Sequence, residues 1–195
     1  MIRGTMLSRL TFAAAAMLIA SSSVNAGLLP TQVTVVPDSG NYRWTYAIVL
    51  PTDSQLQSGN YFTIYDFAGY VPGSAVGPDA NWTVSTPNSG ATPTVLLPQD
   101  DPNIVNLQFT YSGPTIPAGQ LGLGNFAAIS TFEKKAEDDF TAETYRTSDG
   151  LKDSNITTTD VPTGVQQIPE PATMALAALG LPLLGLARLR RKVVA

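Results

Sequence analysis

Glu137, Asp138 and Asp139, with Asp100 and Asp101 as candidate partners, are the side chains best suited to chemistry in this sequence. Carboxylates in that number suit a hard cation such as Ca²⁺, which takes roughly six to eight oxygen ligands. No D-x-D-x-D-G loop with a later glutamate is present, and the plain alternative is a solvated acidic turn. Two carboxylates can also flank a glycosidic bond, one as acid and one as base or nucleophile, but nothing in the sequence fixes their separation. Tyr42, Trp44, Tyr46, Tyr61, Tyr65 and Trp82 offer rings that could stack on sugars or fill a core. For alternating aromatics on a strand the core is the expected place; Trp82, between Pro78 and Pro87, is the one the pattern leaves open.

Two absences narrow the chemistry further. The 195 residues contain no cysteine, so disulfides, thiol chemistry and the usual structural zinc sites are excluded. They contain no histidine either, so neither a Ser-His-Asp nor a Cys-His arrangement can be built. The expectation is a non-enzymatic protein without cofactor or metal. A carbohydrate-binding module, with or without calcium, is the alternative, and a glycoside hydrolase a more distant one.

The elements that would position these residues read as strands. Val105–Tyr111 alternates apolar and polar residues without a break, and Tyr42–Leu50 places Tyr42, Trp44, Tyr46, Ile48 and Leu50 on one face. Tyr61–Phe67 and Phe126–Phe132 are rich in β-forming residues, and Thr31–Val36, Trp82–Ser85, Thr94–Leu97 and Thr141–Thr147 are shorter candidates. Eleven prolines between Pro30 and Pro117 punctuate these runs with turn chemistry. The predicted fold is all-β: a single antiparallel β-sandwich, jelly-roll or immunoglobulin-like, with an N-terminal signal helix and a C-terminal transmembrane helix at its flanks. Glu133–Asp153 is the ambiguous stretch. Phe132, Ala136 and Phe140 are spaced for a helix, but strand, acidic turn at Glu137–Asp139 and strand agrees better with the rest.

The two ends differ from the body. Met1–Ala26 carries Arg3 and Arg9, an eleven-residue apolar run at Leu10–Ala20, and small residues Val24 and Ala26 at −3 and −1 of a cut before Gly27. That is the layout of a secretory signal peptide, too short to span a bilayer. At the other end Ala172–Ala187 is uncharged and is followed by Arg188, Arg190, Arg191 and Lys192, the positive-inside pattern of a stop-transfer segment. Sixteen residues span roughly 24 Å as a helix, less than the hydrocarbon core, and Pro182 weakens it further. Such a helix suits a temporary stop better than a permanent anchor.

Pro169-Glu170-Pro171 stands directly before that run. Pro-Glu-Pro, then a short Leu/Ala/Gly-rich segment, then an Arg-rich end resembles the PEP-CTERM sorting signal of Gram-negative-type bacteria. The same motif is also labelled an ice-binding-protein C-terminal motif, a description of the tail alone. The resemblance covers about an eighth of the chain, from Ile168 to Lys192, and Pro182 and the extra Val193–Ala195 depart mildly from it. It implies recognition by exosortase, a membrane-embedded transpeptidase-like enzyme, and processing near Pro169–Pro171. It also implies export to the cell surface or a biofilm matrix, often beside exopolysaccharide. The expected partners are therefore exosortase, signal peptidase, the inner membrane transiently, and exopolysaccharide.

The expected organisation is a signal peptide over 1–26, a β-sandwich over 27–155, a linker over 156–167 and the sorting signal over 168–195. Between the ends, Arg43, Lys134, Lys135, Arg146 and Lys152 face fourteen acids, a formal charge of −9 against −4 for the whole chain. Such a surface argues against nucleic acid, whose affinity depends on neutralising phosphates.

Overall fold

The computed structural model describes residues 27–164, and these are all-β. Strands β1 (Leu29–Asp38) and β2 (Asn41–Leu50) form a hairpin. Its two-residue turn, Ser39-Gly40, has φ of 52° and 87°, the left-handed pair whose twist matches the flanking strands. The chain continues through β3 (Ser54–Gln55), β4 (Tyr61–Ile64), β5 (Trp82–Ser85), β6 (Leu107–Tyr111), β7 (Leu121–Ser130), β8 (Lys135–Arg146) and β9 (Lys152–Pro162). All pairings are antiparallel. One sheet has the order β1-β2-β7. In the other, β8 carries β9 along one edge, while β4 and then the short β3 share its opposite edge. The sheet continues from β4 through β6 to β5.

The two sheets share one core in a sandwich-like arrangement. Trp44, Tyr46, Ile48 and Leu50 of β2 point inward at every second position, as their alternation predicts. Phe126 of β7 meets three rings of the opposite sheet: Phe62 and Trp82 at 4.8 Å between centroids and Phe109 at 5.1 Å. All three contacts are edge-on, the geometry that aromatic quadrupoles favour. Phe62 in turn stacks between Phe109 and Phe140 at 5.0 and 5.4 Å. Buried polar groups at the margins are joined to backbone: Trp44 Nε1 donates to Phe132 O, and the Tyr46 hydroxyl donates to Asp160 O, both at 3.0 Å.

The structure corrects several expectations. Glu137, Asp138 and Asp139 lie inside β8 and not in a turn; the reversal comes later, at Thr147–Asp149. Neither a helix nor a break forms at 133–140, because β9 pairs with β8 from Lys135 to Tyr145 and satisfies its backbone continuously. Residues 156–162, expected as linker, are most of β9. Thr94–Leu97 is not a strand; it belongs to the long β5–β6 connection, with Val95 and Leu97 exposed. The signal helix and the 172–187 helix lie outside the described residues. Among those residues no helix is long and apolar enough to cross a membrane.

Candidate functional site

β4 ends at Ile64, opposite Phe140 of β8, and the chain leaves the sheet through Tyr65 and Asp66. The Tyr65 amide still donates to Asp139 O at 3.1 Å, which holds this exit against the start of β8. Asp66 then adopts φ 50°, a left-handed conformation that a short polar side chain tolerates better than most. Its carboxylate oxygens accept the Asp101 amide at 3.0 and 3.2 Å. Asn106 ties the same corner together: its Oδ1 accepts the Asp66 amide at 2.8 Å and its Nδ2 donates to Asp100 Oδ1 at 2.9 Å. The Gln99 amide donates to Asp139 Oδ2 at 2.6 Å.

These contacts gather Asp66, Gln99, Glu137, Asp138, Asp139 and Thr158 around an open cavity of about 220 Å³, with Asp100 and Asp101 beside it. The β5–β6 connection thus reaches the acidic run of β8, so the juxtaposition of Asp100–Asp101 with Glu137–Asp139 is real. Asp66 was not a sequence candidate. Its signal was an aspartate interrupting the apolar run Tyr61–Phe67 just before Ala68-Gly69, where a strand must end.

Burial, and after it crowding of like charge, sets the electrostatics of this basin. Asp66 is pushed up to about 6, first by burial and then by Asp138, Asp100 and Asp101, against the lowering effect of the Asp101 amide. Asp138 is raised as well, chiefly by burial. Asp101, hydrogen-bonded by the Asn103 amide and side chain, is instead lowered. Among the described residues, no group of three or more acidic side chains is placed to hold a metal ion. What the arrangement can do is take up a proton.

That gives a measurable pH dependence. A carboxyl raised in the folded state binds its proton more tightly there than in the unfolded chain. The associated stability is present below the ordinary value of 3.8 and is lost as pH rises through about 6. Asp66 is only partly buried, so solvent screening holds the effect to about 1 kcal/mol or less. Asp66→Asn keeps an acceptor for the Asp101 amide and tolerates positive φ. It is expected to match or exceed the parent's stability near about pH 7 and to flatten the gain on acidification towards about pH 5, read by urea denaturation across pH. An unchanged pH profile would show that Asp66 is not the responsible group.

The aromatic candidates point elsewhere. Trp44, Tyr46 and Tyr65 are fully buried, and Trp82, the open case, is only 7 % exposed. Tyr42 packs against the core from a partly buried position. Tyr61 is half buried and its hydroxyl is pushed up to about 12, by burial first and then by Glu143 and Tyr65. These six rings therefore form no open platform. The targeting residues Val24 and Ala26, Pro169, Glu170 and Pro171, and Arg188, Arg190, Arg191 and Lys192 lie outside the described residues.

Residues 167–192 match the PEP-CTERM protein-sorting motif. No curated protein matches the chain. The tail motif supports export and cell-surface sorting with exosortase as the processing partner.

Proposed function

We propose that this chain is a non-enzymatic surface or matrix protein whose acidic β-sandwich is delivered outside the cell by its C-terminal sorting motif. The observation that carries the reading is the motif match at 167–192, which begins shortly after the last strand ends at Pro162. On this reading the tail is held transiently in the inner membrane, exosortase acts near Pro169–Pro171, and the released body joins the cell surface or an exopolysaccharide matrix. The formal charge of −9 between the two ends favours solubility outside the cell and self-repulsion between copies. A stacking-based sugar site finds no support in the inward-facing rings.

The extent of β9 adds a mechanical constraint. From Pro162 to Gln167 the chain can reach at most about 17 Å at full extension. The folded body must therefore sit close to the membrane while the motif is engaged.

Replacing Pro169-Glu170-Pro171 with three alanines is expected to leave full-length, unprocessed protein in the membrane fraction, read by mass spectrometry of the C-terminus. If the tail-less body still appears outside the cell, exosortase sorting through this motif is wrong.

A further inference from the structure

Gly27, the residue after the expected signal-peptidase cut, is buried, and Leu28 is fully buried. A side chain at position 27 would collide with Asn155 Oδ1 and stand 3.1 Å from its Cγ and 3.4 Å from Ala142 O. Only glycine lets the backbone lie this close. Asn155 holds the segment by donating from Nδ2 to Leu28 O at 3.1 Å, while its Oδ1 accepts no hydrogen bond. Thr144 Oγ1, also buried, likewise has no partner. Buried polar atoms left unpaired are costly and rare; of the three among the described residues, the third being Thr159 Oγ1, Asn155 Oδ1 is the one in contact with Gly27.

The direction of the chain shows where a donor would come from. β1 and β9 run alongside each other: Lys135 Nζ bridges Val33 O and Asp160 Oδ2, while Leu28 lies at Asn155. The two segments run in the same direction, with a bulge in β1 between Pro30 and Gln32. Asp153 pairs with Thr144 one inward position beyond the Asn155–Ala142 pair that Gly27 touches. Asp153 is only 5 % exposed. An acidic side chain and two orphan polar atoms thus stand on this inward face, at the pair Gly27 touches and at the next inward pair.

We propose that Asn155, Thr144 and Asp153 form an internal receptor for the α-ammonium group freed at Gly27 when the signal peptide is removed. The proposal rests on the signal-peptidase reading of Val24 and Ala26. Hydrolysis of the Ala26–Gly27 peptide bond adds water across it, leaving a carboxylate on Ala26 and an amine, protonated to an ammonium, on Gly27. A peptide nitrogen at this place has one donor; the ammonium has three and a positive charge, which matches two neutral acceptors and a carboxylate. A buried bond cannot be cut, so processing must precede docking, and removal of the leader completes this corner of the fold.

The test uses the exported protein as the cell makes it. Its N-terminus is read by mass spectrometry, and α-amine reductive methylation is followed in native buffer and in urea, with the lysines as internal controls. We expect Gly27 at the N-terminus and native α-amine labelling about a hundredfold slower than in urea, because reaction must await local opening. Asp153→Asn and Thr144→Val preserve shape and should each restore much of the labelling rate while far-UV circular dichroism is unchanged. A Gly27 terminus that labels as fast in native buffer as in urea overturns the docking and leaves the cleavage reading intact. An N-terminus elsewhere overturns both. Protection unaffected by both substitutions overturns the receptor assignment.

Discussion

Phe126→Ala is expected to destabilise the body by about 3–5 kcal/mol, the range for deleting a fully buried aromatic ring. Phe126 has no exposed surface and is the ring of the three-stranded sheet that touches Phe62, Trp82 and Phe109 of the other. Its loss opens a cavity between the sheets and removes three edge-on contacts, each worth about 0.5–1.5 kcal/mol beyond simple burial. A domain of this size has only about 5–15 kcal/mol in hand, so the variant should sit near the edge of folding. Both tryptophans of the chain, Trp44 and Trp82, are buried, which makes tryptophan fluorescence in urea a direct readout. Phe126→Leu should cost clearly less, because it restores most of the volume. A loss below about 1 kcal/mol for the alanine variant would mean that the sheets are not joined through this residue.

A chain ending at Asn155 is expected not to fold, whereas one ending at Gly164 folds. The shorter chain keeps everything up to the expected linker but loses residues 156–162 of β9. β8 would lose its partner from Lys135 to Thr141 and would expose a long unpaired edge. Val161, 2 % exposed, would leave the core at a cost of about 1.5–3 kcal/mol. The Tyr46 hydroxyl would lose the Asp160 carbonyl and stand buried without an acceptor, costing about 1–3 kcal/mol more. Together with the lost backbone ladder, these terms consume most of a domain's stability. Circular dichroism and limited proteolysis of the two chains decide the matter. If the shorter chain melts within a few degrees of the longer one, residues 156–162 behave as a linker after all.

β9 also shows why part of the fold was hard to read. Its inward positions include Asp153, Asn155 and Thr159, all polar, while the apolar Ile156 faces outward and is 43 % exposed. The period-2 signal is present, but before Val161 its sign is inverted, so the segment looks like polar linker. In β2 the inward set is Trp44, Tyr46, Ile48 and Leu50, and the same period is plain. β8 hid differently: Ala136 and Phe140 around its acidic run fit a helix as well as a strand, and pairing with β9, joined by β4 from Phe140 onward, keeps it extended. The acidic basin was half legible, since Asp100, Asp101 and Glu137–Asp139 stand out in composition. Asp66 joins them only because β4 ends beside the start of β8.

By itself the sequence determined the absence of thiol and imidazole chemistry, the β character of the body, and the three-part tail that matches a sorting motif. Each of these is local: residue types, alternation within a few positions, or order along a short segment. Tertiary structure alone decided that Trp82 turns inward, that residues 156–162 complete a sheet, and that Gly27 reaches Asn155. Those facts depend on which segments become neighbours, across the β8–β9 reversal or across the 127 positions that separate Leu28 from Asn155, and no local pattern encodes that choice.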